Sequence, residues 1–249
     1  MFSPIEKTIA KLNERQQEAV RITEGPLLVV AGAGSGKTRM LTVRIAHLIE
    51  NCQVDPAAIL AVTFTNKAAK EMRERVRDLV AGAERVTLTT FHSFCCLLLR
   101  RWHKYAGFAD GFTIYDESDS EKLMKNVLKE HKIDTKRMTP RSVLELISSA
   151  KNELIGPEEY PDFAGPSTNT QNIHKIYAAY QNQLMQNQAV DFDDLIFKAY
   201  YLLRNNPDLL QKLQNQYRYF LIDEYQDTNH AQYRLISLIS SASRNLCVV

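Results

Sequence analysis

Pro26-Leu27-Leu28-Val29-Val30-Ala31-Gly32-Ala33-Gly34-Ser35-Gly36-Lys37-Thr38 leaves a fold less freedom than any other stretch of this 249-residue chain. Its apolar run is rich in branched residues and reads as a buried strand. The run feeds a turn that alternates small residues with glycine, and Gly36-Lys37-Thr38 opens a segment with helical spacing of apolar residues. Strand, glycine-rich loop and helix in that order are the setting of a phosphate-binding loop. Glycines let backbone N–H groups curl around an anion, and the helix adds the positive end of its dipole. There Lys37 reaches the β- and γ-phosphates of a nucleoside triphosphate, and the Thr38 hydroxyl ligates Mg²⁺. One position departs from the general GxxxxGK[ST] pattern: Ala31 stands where the first glycine would be.

A distal element supplies the carboxylates that such a loop needs. Tyr219-Phe220-Leu221-Ile222 reads as a buried strand running into Asp223-Glu224-Tyr225-Gln226-Asp227-Thr228-Asn229. An unpaired buried carboxylate is costly, so a strand ending in two acids needs a reason. Asp223 fits a second Mg²⁺ ligand opposite Thr38, and Glu224 fits the group that takes a proton from attacking water. A solvated acidic loop is the competing reading. Between the two motifs, Ile59–Phe64 is a strand that leads through Thr65-Asn66 into a helix carrying Met72, Val76 and Leu79. Val86–Thr90 is another, followed by Phe91-His92-Ser93-Phe94 and a helix to about Tyr105, and Asn245–Val249 is a last strand. Strands alternating with helices argue for a parallel α/β sheet, in which ligands sit at the carboxyl ends of strands. A core strand that stops on Val249 also suggests that more chain follows.

From about residue 107 to 190, helical periodicities dominate, apart from the short run Phe112–Tyr115. Leu123, Val127 and Leu128 mark one helix; Val143, Leu144 and Ile147 another; Ile173, Ile176, Tyr177, Tyr180 and Leu184 a third. Gly156 to Asn169 reads as a mobile loop. The block reads as a helical domain inserted into the α/β domain. Asp191-Phe192-Asp193-Asp194-Leu195 then opens a helix ending near Asn205, where the acids suit the dipole; capping and a direct site role are both open. Near the start, residues 12–22 read as a helix capped by Asn13. The Gln16 amide can both donate to and accept from an adenine edge, although an exposed helical glutamine is the simpler reading.

A net charge of +2 neither requires nor excludes a nucleic-acid partner. Cys52, Cys95, Cys96 and Cys247 form no CxxC pair and no zinc spacing, which suits reduced thiols in a cytosolic protein. The N-terminus lacks a signal peptide's apolar core, and no run approaches the ~18 apolar residues of a membrane span.

In this order the motifs resemble superfamily-1 DNA helicases of the Rep/UvrD/PcrA group, in which Ala31 is an ordinary variant. Leu12-Asn13 with Gln16, residues 31–39, Thr63–Ala69, Thr90-Phe91-His92, Asp191–Leu195 and Asp223–Asn229 carry the resemblance. It implies a RecA-like P-loop parallel sheet flanked by helices, with an inserted mainly α-helical subdomain. Motor domain 1A would comprise residues 1–92 and 200–249, and insert 1B residues 93–199. ATP and Mg²⁺ are the implied cofactors. Gln16, Ala31, Gly32, Ala33, Gly34, Ser35, Gly36, Lys37, Thr38 and Arg39 would bind nucleotide, Thr38 and Asp223 the metal, and Glu224, Asp223 and Lys37 would be catalytic. Phe64, Asn66, Phe91 and His92 would contact single-stranded DNA, with core packing as the alternative for the two rings. Arg73, Arg75, Arg100, Arg101, Lys104, Lys132, Lys136 and Arg137 could track phosphates, although scattered surface charge is the simpler reading for most. The implied whole is a bacterial cytosolic 3′-to-5′ single-strand translocase of DNA repair or replication. Its second motor domain, with the arginine finger, would lie in a missing C-terminal half, so this piece would hydrolyse slowly and unwind nothing. Two other functions compete: a P-loop ATPase uncoupled from DNA, and a non-catalytic nucleotide- or strand-binding module.

Overall fold

The computed structural model describes residues 4–32, 34–133 and 138–249; the expectations for Ala33, Lys136 and Arg137 lie outside them. The chain divides into two compact units. The first comprises residues up to Ser93, Asn206–Thr228 and Ile236–Val249; the second comprises Phe94–Asn205 and Asn229–Leu235.

The first unit opens with α1 (Pro4–Ile9) and α2 (Glu14–Arg21). It continues with β1 (Leu27–Leu28), α3 (Lys37–Glu50), β2 (Ile59–Thr63), α4 (Asn66–Leu79) and β3 (Thr87–Thr90). Helix α5 (Phe91–Arg101) crosses into the second unit, where β4 (Thr113–Ile114), α6 (Glu117–Glu130), α7 (Pro140–Asn152), α8 (Tyr160–Ala164) and α9 (Thr168–Gln186) follow. That unit also holds β5 (Ala189–Val190) and α10 (Phe192–Asn205). The chain then returns to the first unit with α11 (Pro207–Gln216) and β6 (Tyr219–Ile222). The boundary falls again inside α12 (His230–Ser240), and β7 (Leu246–Val248) closes the sheet.

Five strands of the first unit form a sheet in the order β1-β7-β6-β2-β3, parallel at every pairing. Leu28 pairs with Val248, Val248 with Ile222, Ile222 with Val62 and Val62 with Thr89, so the carboxyl ends finish in one row. The segments after β1, β2, β3 and β6, with the motifs at 31–38, 64–66, 91–92 and 223–229, leave from this row. Every residue of β2 and β6 is buried, as expected of central strands covered on both faces. Helix α3 is buried continuously from Met40 to Leu48, which marks it as the central helix of this core. Helix α4 buries only Ala69, Met72 and Val76, one stripe at intervals of three and four.

Strand β1 departs from the sequence reading. It is not buried: Leu28 is 65% exposed and Val30 87%. As the edge strand it pairs with β7 alone, and only alternate residues, Leu27 and Val29, reach the core.

The second unit packs its helices around Met124, Val127, Val143, Ile147, Tyr177 and Tyr180. Two features escaped the sequence reading. Ala189–Val190 forms a second strand parallel to Thr113–Ile114, too short for periodicity to reveal. The expected loop at 156–169 contains α8, anchored by the buried Tyr160, whose ring meets Tyr177 edge-on at 6.1 Å.

Candidate nucleotide site

At the carboxyl end of β1 the chain turns through Gly34 (φ 73°) and Gly36 (φ 87°), both in the left-handed region that only glycine enters freely. The turn is tied by Ser35 N–H donating to Gly32 O (3.3 Å), and Met40 N–H donates to Gly36 O (2.9 Å) as α3 begins. No acid stands in the first turn of α3, so its N–H groups and dipole could receive an anion without competition. The Lys37 ammonium lies back over the loop, donating to Ala31 O at 3.0 Å and Gly32 O at 3.5 Å. A cavity of about 760 Å³ opens beside it, bordered by Ser35, Lys37, Arg39, Glu224, Gln226 and Arg75. Arg75, one of the cations for which phosphate tracking and scattered surface charge were both open, stands on this cavity's wall. An exposed arginine on a helix carries no sequence signal that could have separated the two.

Asp223 leaves the end of β6 with 4% exposure and accepts a hydrogen bond from the Thr38 hydroxyl (Oγ1 to Oδ2, 3.1 Å). Burial pushes its carboxyl above the ordinary value, and the Thr38 hydrogen bond partly opposes that shift. One hydroxyl and one carboxylate are hard oxygen donors, a set that fits a hydrated divalent cation sharing its remaining positions with phosphate oxygens. Among the described residues no cluster of three or more His, Cys, Asp or Glu offers a richer site. Glu224 follows with φ 54° and ψ 46°, a left-handed conformation that costs a non-glycine residue energy and turns its carboxylate to the cavity. The Gln226 amide donates to that carboxylate. Tyr225 N–H donates to Val249 O (2.8 Å), tying this turn to the end of β7.

Gln16 joins the same site from α2. Asn13 and Gln16 form a reciprocal capping box: Gln16 N–H donates to Asn13 Oδ1 (2.9 Å) and Asn13 N–H to Gln16 Oε1 (3.2 Å). The remaining end of the amide, Nε2, donates to Ser35 O in the glycine loop (2.8 Å). Gln16 is thus no free surface residue.

The four residues expected to meet a DNA strand divide. Phe64 is 44% exposed just past the end of β2, and Asn66 is exposed at the first turn of α4, below the cap that Thr65 Oγ1 makes with Ala68 N–H (3.1 Å). His92 is half-buried. Phe91 is 3% exposed, so in this structure its ring takes the core packing that was the alternative reading and offers no free stacking face.

Asp191 and Asp194 belong to the second unit and do more than face a dipole. Asp194 N–H donates to Asp191 Oδ1 (2.8 Å), an N-cap, while Lys151 Nζ sits 2.6 Å from Asp191 Oδ2 and 2.9 Å from Asp194 Oδ1. The Tyr180 hydroxyl donates to Asp191 Oδ2 as well (3.1 Å). Phe192, between the two acids, is 57% exposed. Lys151 carried no signal in the sequence, because it lies 40 residues from Asp191 in an otherwise ordinary amphipathic helix.

Residues 12–249 match the family model described as the UvrD/REP helicase N-terminal domain. A curated relative, the "ATP-dependent DNA helicase PcrA" of Bacillus subtilis (strain 168), is 48% identical over 97% of this chain and 33% of its own length. The proteins of that name from Staphylococcus epidermidis and Staphylococcus aureus are likewise 48% identical, over 97% and 96% of this chain. The chain spans about a third of the length of these relatives.

Proposed function

The chain belongs to the UvrD/REP helicase N-terminal domain family, and from that premise we propose that it is the first motor portion of an ATP-driven translocase that moves 3′ to 5′ along single-stranded DNA. Residues 1–92 and 200–249 are assigned to motor domain 1A and residues 93–199 to insert 1B. The observation that carries the reading is the meeting of Thr38 Oγ1 with Asp223 Oδ2 at 3.1 Å, which brings the phosphate loop and the acidic strand end to one point.

In this reading the loop N–H groups from Gly32 to Thr38 cradle the phosphates and Lys37 moves from Ala31 O to a phosphoryl oxygen. Gln16 reads the adenine edge, and Arg39 and Arg75 line the nucleotide. Thr38 and Asp223 would hold Mg²⁺, which neutralises charge on the phosphoryl oxygens when bound. Glu224, fixed by its backbone conformation and by Gln226, orients the attacking water and accepts its proton. Phe64 offers an exposed ring to a base, and base–aromatic stacking tolerates any sequence. Hydrolysis at a useful rate needs an arginine from a second motor domain, a contribution of about 10³–10⁵ in related phosphoryl transfers. We place that domain in the remaining two thirds of a protein of the relatives' length. Among the described residues no helix is long and apolar enough to cross a membrane; the cytosolic assignment rests on the relatives' being DNA helicases.

ATP hydrolysis with and without single-stranded DNA tests the reading, run on this chain and on a protein carried to the relatives' length. The long form is expected to show DNA-stimulated hydrolysis and strand separation, both lost in Glu224→Gln. The present chain is expected to bind MgATP and DNA weakly and to turn over very slowly. No DNA stimulation in the long form, or robust turnover by this chain alone, refutes it.

A further inference from the structure

Helix α2 is held at both ends, and its second anchor lies outside every motif. Arg44 projects from α3, the helix that begins with Lys37, and is 3% exposed. Its Nη1 donates to Ala19 O at 2.5 Å and lies 3.5 Å from Val20 O, while Nη2 lies 3.5 Å from Thr23 O. Ala19 O and Val20 O are among the carbonyls that a helix end leaves without intrahelical partners, and Thr23 O lies just beyond the C-cap. The neighbouring Glu18 O is already taken by Ile22 N–H (3.1 Å). A cation at the carbonyl end is also favoured by the dipole of α2.

Gln16, Ala19 and Val20 stand three and four residues apart, so they share one face of α2. Arg44 therefore grips the helix on the face that carries Gln16, one turn away. The tolerance at the other end is small: a Cβ added at Gly36 would lie 3.3 Å from Gln16 Nε2. Arg44 is costly where it is. Among the described residues its Nε is the buried side-chain nitrogen or oxygen without a hydrogen-bond partner, a cost that an apolar residue would not carry. What an apolar residue would lack is the forked donor that spans several carbonyls, and a lysine point charge lacks it too.

We propose that Arg44 is a positioning residue for base recognition: by gripping the carbonyl end of α2 it fixes the height and rotation of Gln16 above the phosphate loop, so that the Gln16 amide meets the adenine edge. This rests on the reading of Gln16 as the base-reading residue. Arg44 itself touches neither base nor phosphate. It sets the preference for adenine over guanine while the phosphate grip of Lys37 and Thr38 stays intact.

The test measures the affinities of fluorescent ATP and GTP, with Mg²⁺, for this chain and for Gln16→Ala, Arg44→Lys and the Gln16→Ala/Arg44→Lys pair, with a melting curve for each. A single hydrogen bond sets the scale, so Gln16→Ala is expected to reduce the ATP:GTP affinity ratio by about threefold to tenfold. Arg44→Lys is expected to reduce the ratio as far while leaving GTP affinity within about twofold, and the pair to lose no more than either single variant. A Gln16→Ala variant with an unchanged ratio overturns the reading of Gln16, and the role of Arg44 falls with it. A collapsed ratio in Gln16→Ala with an unchanged ratio in Arg44→Lys overturns the Arg44 inference alone. So does equal loss of ATP and GTP affinity in Arg44→Lys, or failure of that variant to fold, since either makes the side chain a general support.

Discussion

Replacing Lys151 by Met probes the least forgiving contact in the second unit. The lysine side chain is fully buried, and the acids it pairs with are 11% (Asp191) and 0% (Asp194) exposed at 2.6 and 2.9 Å. Burial works against all three charges. Even so, the two carboxylates push the Lys151 ammonium well above its ordinary value, and Lys151, with Lys198 behind it, outweighs burial and holds Asp194 below the carboxylate range. Methionine fills much the same volume but strands two buried negative charges side by side. Removing one partner of a buried pair costs about 3–5 kcal/mol, or about 6–20 °C in melting temperature at about 2–4 °C per kcal/mol for a chain of this size. The pH dependence is the sharper signature. With the ammonium gone, burial and mutual repulsion raise both carboxyls above their unfolded value, so the folded variant takes up protons that the unfolded chain does not. Stability of the variant then rises as pH falls from 7 toward 4, and its deficit against wild type should shrink by at least about 1 kcal/mol by pH 5. Urea unfolding followed by circular dichroism at both pH values measures this. Adding Asp191→Asn and Asp194→Asn removes the stranded charges and should recover most of the loss. A deficit under about 1 kcal/mol at pH 7, or one that grows on acidification, would refute the argument.

Phe64→Ala should weaken single-strand DNA binding by about 1–3 kcal/mol per stacked base without moving the melting temperature. Phe91→Ala should do the reverse, costing about 3–5 kcal/mol of stability; titration with a fluorescent oligonucleotide beside a thermal melt separates the two. Thr38→Val removes the donor to Asp223 and one hard oxygen, so the gain in nucleotide affinity on adding Mg²⁺ should disappear, as read by fluorescent-nucleotide titration with and without EDTA. Tyr219 donates to Glu24 Oε1 at 2.5 Å, and its phenol is pushed up to about 12 by burial and then by that bond. A raised folded value means the contribution is complete below about pH 10 and is lost between there and about pH 12. Tyr219→Phe should therefore show a shallower fall in urea-measured stability than wild type across that window.

The sequence made the first unit far more legible than the second. The strand–loop–helix frame with Gly34 and Gly36 at its turns was readable because the spacing is local, and the structure brings Thr38 to Asp223. Asn13 was readable as a cap for a similar local reason. Long-range partners were not. That Gln16 meets Ser35, or that Lys151 meets Asp191, depends on tertiary packing that no periodicity reports. Burial was hard to read from composition: the apolar run at 27–30 suggested a covered strand but lies on an edge, and only the structure favours core packing at Phe91, where both readings stood open. Two-residue strands such as β5 fall below any pattern that alternation can reveal.

The row of strand ends has a mechanical consequence. Hydrogen-bonded strands lie about 4.8 Å apart, so the three steps from β1 to β2 put about 14 Å between the glycine loop and the strand that leads to Phe64. That distance is too great for direct contact, yet one backbone bond shortens it: Asp223 N–H donates to Val62 O at 2.9 Å, and Phe64 follows two residues later. A displacement at Asp223 thus reaches the root of the Phe64 loop through one backbone hydrogen bond. The linkage is made by the backbone of two buried strands, so side chains at either end can be exchanged without removing it.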